Sequence, residues 1–175
     1  MGVSVRDRRQ TIDLTGLSLS PGQGRRLDLT VRIEPLKIAA DEVSVGNAPI
    51  PVRIDVSRTA AGYALRLRFN GQVRGACVRC LGPAEVAIDV DSREVDQAPA
   101  EDEELLSPYV TEGELDLGAW ARDALALALP PKLLCRPDCA GLCPVCGESL
   151  NDAEPGAHDH PKEPDPRWAK LRELQ

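Results

Sequence analysis

Six cysteines carry most of the chemistry available to this sequence: Cys77 and Cys80 in one Cys-x2-Cys unit, then Cys135, Cys139, Cys143 and Cys146 spaced by three, three and two residues. A Cys-x2-Cys turn aims two sulfurs at one point while its backbone N–H groups bond the thiolates, and two such turns complete a tetrahedron around zinc. In Cys143-Pro144-Val145-Cys146-Gly147 the proline sets the turn and the glycine permits a positive φ just after the second sulfur. The expectation is one structural Zn2+, with all six cysteines as candidate ligands. The leading pairing joins Cys77 and Cys80 to Cys143 and Cys146, since both units are followed within two residues by glycine. Its rivals are the four C-terminal cysteines alone, or Cys135 and Cys139 with the first pair. Four thiolates around a divalent cation leave a local charge of about −2, which basic neighbours such as Arg79 and Arg136 would stabilise, with ordinary surface arginines as the equal alternative.

Other chemistry is thin. Structural zinc contributes roughly 10–16 kcal/mol in finger peptides, against a total domain stability of about 5–15 kcal/mol, so a purely structural role suffices to explain the motif. Cys139-x3-Cys143-x2-Cys146 also has the spacing of a radical-enzyme iron–sulfur site, but no series of strand–helix units is present to build the barrel such a site needs. The two histidines, His158 and His160, lie in a polar, proline-rich stretch and read as solvated loop or incidental metal affinity, not as a catalytic pair. Ser20-Pro-Gly-Gln-Gly24 lacks the lysine and spacing of a phosphate loop. No catalytic residue and no small-molecule substrate are assigned.

The elements that must position the cysteines follow from periodicity. Period-two alternation marks strands at Leu27, Leu29, Val31 and Ile33, at Val52, Ile54 and Val56, at Tyr63, Leu65, Leu67 and Phe69, and again at Val86, Ile88 and Val90. Arg58–Gly62 reads as one hairpin turn and Asn70-Gly71 as the next, before Val73–Ala76. This places Cys77 and Cys80 at a strand-to-strand tip. From Asp116, a good N-cap, Leu117, Trp120, Ala121, Ala124, Leu125 and Ala128 share one helical face, and Pro130-Pro131 ends the helix. Asp165-Pro166 starts a short terminal helix with Trp168, Leu171 and Leu174 as its apolar stripe.

The expected fold class is α+β: a mostly antiparallel sheet, as a meander or partly open barrel, with one main helix, a Cys-rich zinc segment and a short C-terminal helix. The expected divisions are a β-rich domain at 1–90, a mobile acidic linker at 91–107, the helix plus Cys-rich segment at 108–150, and a polar loop with the terminal helix at 151–175. Aromatic residues make up only 3% of the chain, which argues against binding single-stranded nucleic acid by base stacking. No apolar run is long enough to span a membrane, and the N-terminus lacks the apolar core of a signal peptide, so a cytoplasmic protein with reduced thiols is expected. Charge is uneven. Residues 1–90 hold 13 Lys+Arg against 9 Asp+Glu, residues 91–175 hold 8 against 19, and the whole chain is −7. Arg53, Arg66, Arg68, Arg74 and Arg79 fall on neighbouring strands and form a candidate RNA-binding face, with solubilising surface arginines as the plainer reading.

Four stretches together resemble the YceD family of bacterial large ribosomal RNA subunit accumulation proteins. They are Cys77-Val-Arg-Cys80-Leu81, then Gly113–Leu117 running into Ala121–Pro130, then Leu134–Gly147 with Leu150-Asn151, and finally Asp165–Leu174. The resemblance implies a factor that supports the synthesis, processing or stability of 23S ribosomal RNA and thereby ribosome biogenesis. Implied partners are ribosomal RNA or a large-subunit ribosomal protein. The family description brings no catalytic residue with it. A non-enzymatic role is the expectation, and the alternative is a thiol-redox or metal-dependent RNA-processing enzyme.

Overall fold

The structure, a computed structural model, describes residues 10–38, 41–46, 48–97 and 105–160. Its centre is an antiparallel four-stranded sheet in the order β2 (Gly24–Val31), β5 (Ile50–Arg58), β6 (Tyr63–Ala76) and β7 (Pro83–Asp96). A small hairpin, β3 (Leu36–Ile38) and β4 (Asp41–Val43), interrupts the meander between β2 and β5. The sheet is open, as one of the two expected topologies has it.

Alternation decides the faces. Leu27, Val31, Val52, Ile54, Val56, Leu65, Leu67, Phe69, Ile88 and Val90 turn inward and are buried, while Arg26, Asp28, Arg53, Asp55, Arg66, Arg68, Asp89, Asp91 and Arg93 turn outward. The inner face is covered by α1 (Leu117–Ala128), which buries Leu117, Trp120, Ala121, Ala124 and Leu125. Asp116 caps it as its sequence position suggests, accepting from the Ala119 N–H at 2.9 Å. Trp120 is 1% exposed, stacks on Tyr109 with ring centroids 6.3 Å apart, and donates its indole N–H to Ser92 Oγ at 2.9 Å. One of the few aromatic side chains thus anchors the helix to β7.

β1 (Thr11–Asp13) pairs with β9 (Glu114–Asp116), which also pairs with β8 (Val110–Thr111). Through this second sheet, residues from the expected 1–90 unit and the 108–150 segment share one core running from Ile12 to Leu125.

Two expectations are corrected. Asn70-Gly71 makes no turn: β6 runs unbroken through it, with Asn70 opposite Asp89 and Gly71 opposite Ile88. The hairpin reverses only at Cys77–Gly82. The acidic stretch also does not begin as linker at residue 91, because β7 continues to Asp96 and Asp91 to Asp96 pair with Tyr63 to Arg68. Asp96 is buried there and accepts from the Ser107 N–H at 3.4 Å. Of the rest of the expected linker, Gln97 and residues 105–107 are described, the Gln97 N–H donating to the Leu105 carbonyl at 2.8 Å, while 98–104 and the expected terminal helix lie outside the described residues.

Candidate metal centre

Cys77 and Cys80 stand at the tip of the β6–β7 hairpin. The tip is a knuckle held by two backbone bonds: the Cys77 N–H donates to the Gly82 carbonyl at 2.8 Å, and the Leu81 N–H donates to the Cys77 carbonyl at 2.9 Å. Leu81 takes the left-handed conformation, φ 59°, that this reversal requires. The segment after α1 is brought to the tip by the Val78 N–H, which donates to the Leu133 carbonyl at 2.9 Å. Gly75 makes the approach possible, because a Cβ there would stand 2.7 Å from Leu133 Cδ2.

That docking sets Cys135 and Cys139 against the first knuckle. Cys77 Sγ lies 3.7 Å from Cys139 Sγ and Cys80 Sγ lies 3.6 Å from Cys135 Sγ, and all four sulfurs fall within 4.8 Å of one another. A tetrahedral zinc with metal–sulfur bonds of about 2.3 Å has sulfur–sulfur edges of about 3.8 Å. A disulfide would require about 2.05 Å. The donor set is therefore spaced for a shared ion and not for cross-linking. Cys77 and Cys139 are fully buried, within a small cluster that also holds Ala84 and Leu133.

The electrostatics of the four thiols favour a cation. Burial pushes the Cys77 thiol up, but the backbone N–H groups of Cys135, Cys80 and Arg79, with the Cys80 side chain, outweigh it and bring Cys77 down to about 6. Cys135 is pushed up to about 12, by burial first and then by the thiols of Cys139, Cys80 and Cys77 around it. Without a metal ion, further ionisation within the cluster is opposed by this crowding of negative charge. Arg79 adds positive charge nearby, its Nη1 donating to the Cys139 carbonyl at 2.7 Å. Arg136 donates to the Asn151 carbonyl at 2.7 Å.

Cys143 and Cys146 are not the partners of the first pair. They form a second knuckle with the same backbone pattern: the Cys143 N–H donates to the Glu148 carbonyl at 2.8 Å, and the Gly147 N–H donates to the Cys143 carbonyl at 2.9 Å. Gly147 has φ 75°, in the place Leu81 fills in the first. The N–H groups of Cys146 and Val145 hold the Cys143 thiol below its ordinary value. These two sulfurs gather with ring nitrogens of His158 and His160, again within 4.8 Å. From sequence the histidines read as solvated loop or incidental metal affinity, without a place in a defined site. The missed signal is that a second knuckle needs a second donor pair, and His-x-His twelve residues after Cys146 supplies one.

The five arginines proposed to face RNA are each engaged within the chain. Arg53 Nε donates to Asp28 Oδ1 at 3.0 Å, Arg66 Nε to Asp91 Oδ1 at 2.8 Å and Arg74 Nε to Glu85 Oε1 at 3.1 Å. Arg68 pairs with Asp55, and Arg79 turns into the cysteine site. Across the four strands, outward Arg26, Arg53, Arg66, Arg68, Arg74 and Arg93 are interspersed with Asp28, Asp55, Glu85, Asp89 and Asp91.

An α+β scaffold whose hairpin tip carries a converged cysteine cluster defines a small protein with a candidate structural metal site. The family of the large ribosomal RNA subunit accumulation protein YceD matches residues 65–175, and this chain belongs to it. An uncharacterized protein of Mycobacterium tuberculosis (strain ATCC 25618 / H37Rv) is 34% identical over 173 residues, covering 94% of this chain and 80% of the relative. An uncharacterized protein of Mycobacterium leprae (strain TN) is 32% identical over 168 residues, covering 93% and 76%. No solved structure matches. Among the described residues, no helix is long and apolar enough to cross a membrane.

Proposed function

We propose that this chain is a non-enzymatic, zinc-binding factor that acts in the cytoplasm to support the synthesis, processing or stability of 23S ribosomal RNA during assembly of the large subunit. The observation that carries this reading is the convergence of four sulfurs from two distant stretches at tetrahedral spacing. Four sulfurs around one zinc ion leave no position for the water a hydrolytic centre requires, so the ion serves as a clasp. The family name supplies the ribosomal context.

Between the two partner classes, the charge pattern supports a large-subunit ribosomal protein over bare RNA. A phosphate approaching the sheet would have to compete with carboxylates already bonded to the arginines, and the outward face is close to neutral. A mixed-charge surface suits a protein partner, with complementarity fixing register.

The test is complementation. Cells depleted of the protein and supplied with Cys80→Ser or Cys139→Ser should accumulate less 23S relative to 16S RNA than cells supplied with the unaltered chain. A normal ratio with variants shown to lack metal would reject the clasp as the basis of function. For the partner, binding to 23S fragments should be weak and change little with added salt. A steep loss of affinity between low and moderate salt would point instead to direct phosphate contacts.

A further inference from the structure

We propose that the chain holds a second metal ion, bound by Cys143, Cys146, His158 and His160 and separate from the four-cysteine site. The two groups share no ligand. Each has one knuckle and one further pair of donors, and the knuckles are built alike: an N–H of the first cysteine to the carbonyl five residues on, and an N–H four residues on back to the first cysteine's carbonyl, at 2.8 and 2.9 Å in both cases. With Cys77 and Cys80 matched to Cys135 and Cys139, the second knuckle needs its own partners.

Three observations identify the histidines as those partners. Cys146 Sγ and His158 Nδ1 are 3.3 Å apart, shorter than the 3.7 and 3.6 Å of Cys77–Cys139 and Cys80–Cys135, as expected where one ligand is a nitrogen at about 2.0–2.1 Å from zinc and the other a sulfur at about 2.3 Å. On the other side of the same ring, Nε2 lies 4.0 Å from Glu148 Oε2. That is beyond hydrogen-bond reach, but it puts a carboxylate on the side of the ring where an outer-shell partner orients a metal-bound imidazole. Finally, His160 Nε2 is buried and has no hydrogen-bond partner. A ring nitrogen withdrawn from water without an acceptor or donor is costly unless it has a ligand, and an ion bound at this nitrogen satisfies it.

A plain thiol–imidazole pair between Cys146 and His158 would account for the 3.3 Å distance alone. It leaves Cys143 and His160 in the cluster without a role and His160 Nε2 unsatisfied. Two thiolates, two neutral imidazoles and a divalent zinc ion sum to zero charge, so this site needs no arginine beside it. Each group has one exposed cysteine, Cys135 in the first and Cys146 in the second, but the first group buries two of its four ligands and the second only Cys143, so the second ion is the first to leave for a chelator.

Elemental analysis of the untagged full chain, prepared under reducing conditions, should find two zinc ions per chain, falling to one when His158→Ala and His160→Ala are combined. Should that variant fold poorly, titration of the metal-free, unaltered chain with Co2+ gives an independent reading. Two equivalents should bind, the second with about half the sulfur-to-metal charge-transfer intensity of the first, because it has two thiolates in place of four. A single ion unaffected by the histidine substitutions would overturn the second site and leave the four-cysteine clasp standing. No bound metal would remove both. A Cys143–Cys146 disulfide in freshly isolated protein would replace the second ion with redox chemistry.

Discussion

Glu94 projects from β7 toward the interior, where burial raises its carboxyl above the ordinary value and Ser107 Oγ donates to it at 3.3 Å only partly in compensation. A carboxyl whose folded-state value is raised binds more protons folded than unfolded, so its contribution falls as pH rises through the unfolded and then the folded value. Glu94→Gln should therefore stabilise the protein near neutral pH, and the gain should vanish in acid, where both side chains are uncharged. Parallel denaturant melts at neutral and acid pH measure the difference; an equal gain at both would show that charge burial is not its origin. At this scale the candidate ligands were legible in the sequence, because cysteine spacing is itself the chemistry. Their pairing was not. It depends on Leu133 resting against Gly75 and on one backbone bond from Val78, neither of which leaves a mark in the spacing of the sulfurs. His158 and His160 were passed over for a related reason, since their polar surroundings look the same whether they enclose an ion or water.

The β6–β7 hairpin gives two glycines opposite consequences. At Gly71 an added Cβ would meet only Ile88 Cδ1, at 4.0 Å, and no left-handed φ is required. Gly71→Ala should leave stability unchanged or raise it by about 0.4–1 kcal/mol through the lower entropy of the unfolded chain. Gly75→Ala, by contrast, forces Leu133 away and should cost about 1–3 kcal/mol while weakening zinc retention. Thermal melts with zinc quantification distinguish the two, and a large loss at Gly71 would contradict the unbroken strand. In hindsight the sequence held the signal: Leu65, Leu67, Phe69 and Val73 keep one phase through Gly71, whereas a two-residue turn there would begin a new strand. Asn-Gly favours a turn, but in this chain the unbroken phase of the strand prevails. The helix was plainer, since cap, apolar stripe and proline stop all agree, and Trp120→Ala should cost about 3–5 kcal/mol, read from denaturant midpoints.

For the molecule as a whole, the sheet and helix close one core, and the four-cysteine site forms a separate small cluster at the β6–β7 tip. Removing metal with a chelator should accordingly expose residues 130–150 to protease while the four-stranded sheet resists, and an unchanged digestion pattern would refute the clasp. Where this boundary falls follows from the unequal lengths of the strands. Among the described residues β5 pairs with β6 along Tyr63–Arg68, and beyond that β4 packs beside β6 and bridges it at Ser44–Arg74, so the hairpin is a two-stranded ribbon only at its end, Gly75–Ala76 with Pro83–Ala84. Ribbons of two strands are marginal in water. The ion at the tip is thus a tether on a cantilever: once it is cut, amide protons from Gly75 to Ala84 should trade with deuterium early, and those nearer the root, around buried Val73 and Ile88, should keep the slow rates of the metal-loaded protein.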